Sequence, residues 1–242
     1  MEQIPKTIHE SWHPYLQVLF DDHKMIMLKT KILTGERFYP APTDIFNVFK
    51  MPMQTIKVVI LGQDPYINKN EAIGYAFSVP SLKNVETPPS LKVIKNEIIS
   101  SSVERDTKTN IDTLEWRELK HWRQQGVFLL NTALTVKVGE SGSHINQWSW
   151  FTREVIKIIS LYSSNKPIWL LWGAKAKGYG GFIHAYYHYY GKFMGNEYNY
   201  ILEANHPAAE AYPDSKYKFT GCNHFKLTNE LLKHKKQTVI NW

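Results

Sequence analysis

Four short apolar runs punctuate the chain: Ile56 to Leu61, Val127 to Leu130, Ile168 to Trp172 and Tyr200 to Leu202. The first and third carry almost no polar alternation, the pattern of strands covered on both faces in a parallel sheet. Between the runs, apolar residues recur at helical spacing. Leu91, Ile94 and Ile98 mark one such segment, and Phe151, Val155, Ile158 and Ile159 mark another. Phe225 to Leu232 reads as a closing helix. This alternation of strand and helix predicts an α/β fold. Residues 10–50 read as helical and peripheral, ending in a turn-rich stretch from Phe38 to Phe46. With no internal repeat, low-complexity tract or long linker, residues 1–242 read as one domain.

A chain of 242 residues can bury a sizeable core without a staple. Its one cysteine, Cys222, excludes an internal disulfide framework and a cysteine-rich zinc cluster. In the closing segment, beside a small residue, it reads as buried packing rather than as a reactive thiol. No apolar stretch reaches the length of a membrane span, and the first residues lack the basic and apolar regions of a signal peptide. The expected setting is intracellular, cytoplasmic in a bacterium. The formal charge of +7 weakly favours a polyanionic partner. Lys137, Lys175, Lys177, Lys216 and Lys218 lie near the loops considered next and could contact such a partner; each reads equally as a solvated surface lysine. Eight tryptophans in an aromatic content of 14% leave rings for stacking.

The residues that follow the strands carry more information. The first run leads into Gly62-Gln63-Asp64-Pro65-Tyr66, the second into Asn131-Thr132, the third into Gly173 and the fourth into Asn205-His206-Pro207. Ligands of open α/β sheets bind beyond the carboxyl ends of the strands. Gln63, Asp64, Asn131 and His206 are therefore expected to converge from three strand ends.

At these residues the chain resembles family 1 of the uracil-DNA glycosylases, from about Ser11 to the C-terminus. Val58 to Tyr66 is similar to the family's water-activating motif, and Ala76-Phe77-Ser78-Val79-Pro80 to its uracil-stacking segment. Pro88-Pro89-Ser90-Leu91 resembles the proline-rich loop, Leu129 to Val136 the uracil-recognition strand, and Leu170 to Gly173 the approach to the glycine-serine loop. His206-Pro207 resembles the start of the leucine-intercalation loop, and Gly221 to Phe225 with Thr228 to Leu232 the closing segment. The shared order and spacing carry the resemblance; any one motif alone is weak. It implies a three-layer α/β/α fold around a four-stranded parallel sheet.

The resemblance also implies a chemistry. The enzyme takes uracil out of the DNA stack and hydrolyses its N-glycosidic bond, leaving an abasic site. Asp64 would stabilise the cationic sugar and orient the attacking water, although an Asp in Gln-Asp-Pro is otherwise a turn or cap residue. His206 would donate to uracil O2 as a neutral imidazole, which requires a depressed pKa; a His before Pro is otherwise a loop residue. Asn131 would read O4 and N3–H through its amide, where the other reading is a strand-end cap. Phe77 would stack on the base, although Phe in such a segment is more often core. Tyr66 would exclude the thymine methyl, and Gln63 would act through its backbone. Pro88, Ser90, Gly173, Ala174, Pro207, Ala208 and Glu210 would face the DNA backbone. No metal or organic cofactor is needed. His184 and His188 lie four apart without the glutamate of a zinc motif and read as an aromatic helix face.

The departures from the family pattern fall on DNA handling. The histidine after Asp-Pro-Tyr is Ile67, the glycine-serine loop has Ala174, and the intercalation loop reads His206-Pro207-Ala208-Ala209-Glu210-Ala211. Glu210 thus stands in the place of the leucine wedge, and Ser90 alone remains of the serines that pinch the backbone. The segment around Trp148 is one residue shorter than the pattern. A carboxylate fills the gap left by a flipped base poorly and is repelled by phosphates. The chain is therefore expected to prefer uracil in single-stranded DNA. Two alternatives stay open: a catalytically weak member that binds uracil-DNA or a protein, and an enzyme for another deaminated base. The family further implies a monomer. A DNA-mimicking protein inhibitor is the other partner considered, and the altered loop is where escape from it would show.

Overall fold

The computed structural model describes residues 4–33, 35–101, 111–186, 200–210, 216 and 218–242. Two helices, α1 (His13–Asp21) and α2 (His23–Leu33), precede a short strand β1 (Phe38–Tyr39) and the first central strand, β2 (Val58–Gly62). Helices α3 (Pro89–Ser100) and α4 (Lys120–Gln124) lead to β3 (Val127–Asn131) and β4 (Val136–Lys137). The long helix α5 (Ile145–Tyr162) crosses over to β5 (Ile168–Trp172), followed by α6 (Ala174–Lys177) and α7 (Gly180–Tyr186). β6 (Ile201–Ala204), α8 (Pro207–Glu210) and α9 (His224–His234) complete the order.

β3, β2, β5 and β6 form one four-stranded parallel sheet in that spatial order. The apolar runs of β2, β3 and β5 are buried along their whole length, as helices on both faces require. Alternate side chains serve different layers because the strand period is two. Val59, Leu61, Phe128, Leu130, Trp169 and Leu171 pack into a core shared with α1, α2 and α5. Val58, Ile60, Val127, Leu129, Ile168 and Leu170 join the opposite core with α3, α9 and Trp242. The expected α/β/α sandwich is thus present.

The N-terminal region departs from its peripheral reading. Trp12, Leu16, Phe20 and Met25 are fully buried. Trp12 stacks on Phe128 of β3 at 5.4 Å and donates from Nε1 to the Met51 carbonyl at 2.8 Å. The apolar stripe of α1 therefore closes one face of the sheet. The turn-rich stretch that follows contains β1, which pairs antiparallel with β4. The last strand lies one or two residues later than the run Tyr200 to Leu202 suggested, because β6 is an edge strand and admits the exposed Glu203. Among the described residues, no helix is long and apolar enough to cross a membrane.

Candidate active site

β2 and β3 end side by side, with Gly62 opposite Asn131. The pairing continues past the strands. Thr132 N–H donates to Gly62 O at 2.9 Å and Ala133 N–H to Gln63 O at 3.0 Å, and the Thr132 hydroxyl reaches Gln63 O at 2.6 Å. Gln63 and Asn131 thus leave the sheet from a braced corner. Asn131 is buried, and its amide comes so close to β2 that a Cβ on Gly62 would lie 2.5 Å from Asn131 Oδ1. Only glycine fits there, and that absence of a side chain gives the Asn131 amide its room.

Asp64 follows on the same corner and is half-buried. The Ser141 hydroxyl donates to both carboxylate oxygens, at 3.1 and 3.3 Å, and the Gly142 N–H donates to Oδ2. Gln63 Nε2 donates to Asp64 Oδ1 at 3.3 Å and to Ser141 Oγ at 3.1 Å. Burial raises the carboxyl above its ordinary value, and these donors offset only part of that rise. Sequence reasoning missed Ser141 and Gly142. The turn composition around Gly139, Gly142 and Ser143 marks a loop, but nothing in it shows that the loop folds back onto residue 64.

His206 and Phe77 form the far wall. Their rings lie 5.7 Å apart, and Phe77 packs at 5.2 Å on Trp172 of β5. Trp172 is itself held by a 3.0 Å hydrogen bond from Nε1 to His224 Nδ1. Phe77 has φ of +60°, a strained conformation for a bulky residue that suggests a functional constraint. Burial lowers the His206 pKa, so the imidazole is neutral near pH 7. Gly173, at φ +92°, packs under this ring: a Cβ there would come within 2.9 Å of His206 Cβ.

Tyr66 and Ser90 join the two rims through a 2.9 Å hydroxyl–hydroxyl hydrogen bond. Ser90 is buried at the start of α3, so its hydroxyl, expected at the DNA backbone, is engaged with Tyr66. Gln63, Asp64, Tyr66, Phe77, Pro88, Ser90, Asn131, His206 and Ala208 line one cleft of about 500 Å³, joined by Ile67 and Ser141. Gly173, Ala174, Pro207 and Glu210 stand outside this lining. Gly173 supports His206 from behind, Ala174 opens α6 on the surface, and Pro207 is buried.

Glu210, expected to face the DNA backbone, has its carboxylate engaged by the chain that follows it. Its Oε2 accepts from Phe219 N–H at 2.5 Å and Thr220 N–H at 2.7 Å. Burial opposes its ionisation, but the hydrogen bonds from Thr220 and Phe219 prevail and hold the carboxyl below its ordinary value. Lys137 is engaged on the surface as well. Its ammonium pairs with Glu140 at 2.7 Å and Glu36 at 3.4 Å. Cys222 lies beside Glu97, and burial pushes its thiol up to about 12, in keeping with an inert residue. His184 lies on α7, whereas His188 falls outside the described residues. Among the described residues, no cluster of His, Cys, Asp and Glu could hold a metal ion.

The family profile described as the uracil DNA glycosylase superfamily matches residues 50–233. A uracil-DNA glycosylase of Buchnera aphidicola is 43% identical over 207 residues, covering 84% of this chain and 83% of that protein. One from Borreliella burgdorferi is 39% identical and covers 97% of this chain and 98% of its own length. Among solved structures, mimivirus uracil-DNA glycosylase superposes with a TM-score of 0.74 at 27% identity, covering 98% of this chain and 87% of that one. A mimivirus UNG variant solved in complex with UGI gives 0.76 at 26% identity, over 100% of this chain and 91% of the other. With a strand-end cleft of this make-up and a profile match over most of its length, the chain belongs to the uracil-DNA glycosylase superfamily.

Proposed function

We propose that this protein excises uracil from DNA by hydrolysing the bond between uracil N1 and the deoxyribose C1′, leaving an abasic site and free uracil. The convergence of Asp64, Asn131, Phe77 and His206 on one cleft carries this reading. The base leaves the stack and enters the cleft, because its glycosidic bond is out of reach inside a duplex. Asn131 reads the uracil edge, and Phe77 offers a face for stacking. Tyr66 stands against C5. As the C–N bond lengthens, positive charge grows on the sugar and negative charge on the base. The Asp64 carboxylate stabilises the first and orients the water that adds to C1′. His206, neutral and donating, stabilises the second at O2.

The same reading extends to the form of the substrate. No apolar wedge stands at position 210, and the Glu210 carboxylate is occupied by the Phe219 and Thr220 amides. Without a side chain to fill the vacated stack, flipping from a duplex bears its full cost of a few kcal/mol, which a single strand largely avoids. Single-stranded uracil-DNA is therefore the preferred substrate. The protein acts as a monomeric single domain inside the cell, and a protein inhibitor is a further proposed partner, by analogy with the UGI complex of the mimivirus relative.

Single-turnover release from one uracil, placed in matched single- and double-stranded DNA, tests both levels, with Asp64→Asn as control. Fast release that depends on Asp64 and is faster on the single strand is expected. Equal rates on both substrates would remove the strand preference. Tight binding without release would favour a binding module, with Ile67 lining the cleft where the family carries histidine.

A further inference from the structure

The carboxylate of Asp64 faces a conflict. Its proposed work requires the charged form, yet its burial favours the neutral one. Besides Gln63 Nε2, the donors that offset part of this burial come from a single loop 77 and 78 residues away, through Ser141 and Gly142. The Gly142 N–H is a fixed backbone donor to one oxygen. The Ser141 hydroxyl is different in kind. It lies 3.1 Å from Oδ2 and 3.3 Å from Oδ1, so it bridges the carboxylate, and it accepts at the same time from Gln63 Nε2 at 3.1 Å. A hydroxyl that accepts from an amide while donating to an anion is polarised, which strengthens its own donation.

The loop that presents Ser141 is itself anchored. Ser143 Oγ accepts from Lys137 N–H at 2.9 Å, and His144 Nδ1 lies 2.9 Å from the Thr135 hydroxyl. Trp148 Nε1 donates to that same hydroxyl at 2.7 Å, fixing the loop to α5. Ser141 itself lines the cleft together with Asp64. We infer that Ser141 is a positioning residue, which turns and holds the Asp64 carboxylate for its water and keeps it ionised in a half-buried site. The inference rests on the catalytic reading of Asp64 given above.

The other ionisable groups lining the cleft are Tyr66, Glu71, Glu86 and His206, while Glu140, next to Ser141, is paired with Lys137. Among the described residues no Lys or Arg lines the cleft, so the neutral donors beside Asp64 favour its charge. Removing one of them must move its titration upward.

Ser141→Ala and Ser141→Thr test this on single-stranded DNA bearing one uracil, beside Asp64→Asn. In Ser141→Ala, single-turnover release is expected to fall about 10-fold, the effect of losing one charge-assisted hydrogen bond. The acid limb of its pH profile moves to higher pH, and affinity for the DNA stays within about two-fold. Ser141→Thr restores the hydroxyl and with it the rate and the limb. The Asp64 carboxyl carbon, followed by 13C NMR, should titrate higher in Ser141→Ala, a readout independent of turnover. If Asp64→Asn is slow but Ser141→Ala matches the parent in rate and titration, the positioning role is overturned and the catalytic reading stands. A slower Ser141→Ala with an unmoved titration and no rescue by threonine overturns it too. An Asp64→Asn protein as fast as the parent overturns both.

Discussion

His206 Nδ1 accepts a hydrogen bond from the backbone N–H of Ala208 at 3.1 Å. That single contact determines the tautomer. With Nδ1 occupied as an acceptor, a neutral ring carries its proton on Nε2, the nitrogen left to donate. Burial keeps the ring neutral. The 15N shifts of His206 are therefore expected to show the neutral Nε2–H form at pH 7, with protonation only below the ordinary histidine range. His206→Ala should slow uracil release about 100- to 1000-fold, as loss of one oxyanion donor does. An imidazolium at pH 7 would contradict the assignment.

Glu210 latches the returning chain to α8 rather than extending from it. Its folded carboxyl titrates below the ordinary value, because the bonds from Thr220 and Phe219 outweigh its burial. The latch thus contributes fully above the unfolded value and is lost as pH falls through the lowered folded value. Glu210→Gln should lower Tm at pH 7 and converge with the parent in acid, measured by thermal melts across pH. Glu210→Leu is likewise expected to lower Tm at pH 7, since it removes both hydrogen bonds from the Phe219 and Thr220 amides.

Gly62→Ala places a methyl 2.5 Å from Asn131 Oδ1 and 2.9 Å from Ala76 Cβ. The neighbours are packed, so the strain falls on the Asn131 amide. Stability should drop by about 1–3 kcal/mol, as for other overpacked sites. Uracil release should fall about 100-fold, because a displacement near 1 Å misaligns the reading group. Denaturant melts and single-turnover rates measure the two effects separately, and an unchanged rate would dissociate Asn131 from uracil recognition.

Asp64 carries a stability cost that follows from the same burial as its chemistry. Its folded carboxyl lies above the unfolded value, so ionisation disfavours the fold, and stability falls as pH rises through that interval. Asp64→Asn is expected to raise Tm at pH 7 while abolishing fast release, with the gain in Tm shrinking as pH falls through the raised value. A variant less stable than the parent at pH 7 would mean that the donors outweigh the burial.

Much of this was legible in the chain itself. The unbroken apolar runs of β2 and β5 specify strands covered on both faces, because nothing polar alternates in them. The residues after each strand specify the cleft, because a parallel sheet gathers all its carboxyl ends on one edge. Asp64, Asn131 and His206 meet there for that reason alone. The N-terminal helices were misread as peripheral, since an amphipathic stripe does not reveal what it packs against. Only the fold shows Trp12 on Phe128.

The tertiary structure decided the finer chemistry. Ser141 and Gly142 reach Asp64 across 77 and 78 residues, and no local pattern encodes a contact at that separation. Glu210 occupies the position of a wedge in sequence, but its carboxylate accepts from the backbone N–H groups of Phe219 and Thr220. Ionisation followed the same division. Residue type fixed which groups could titrate, whereas burial and the donors around each group set the direction: Asp64 raised, Glu210 lowered, His206 held neutral. Hydrophobic period and strand order are properties of neighbours along the chain. Hydrogen bonding and desolvation at a site are properties of neighbours in space, and they exist only once the chain has folded.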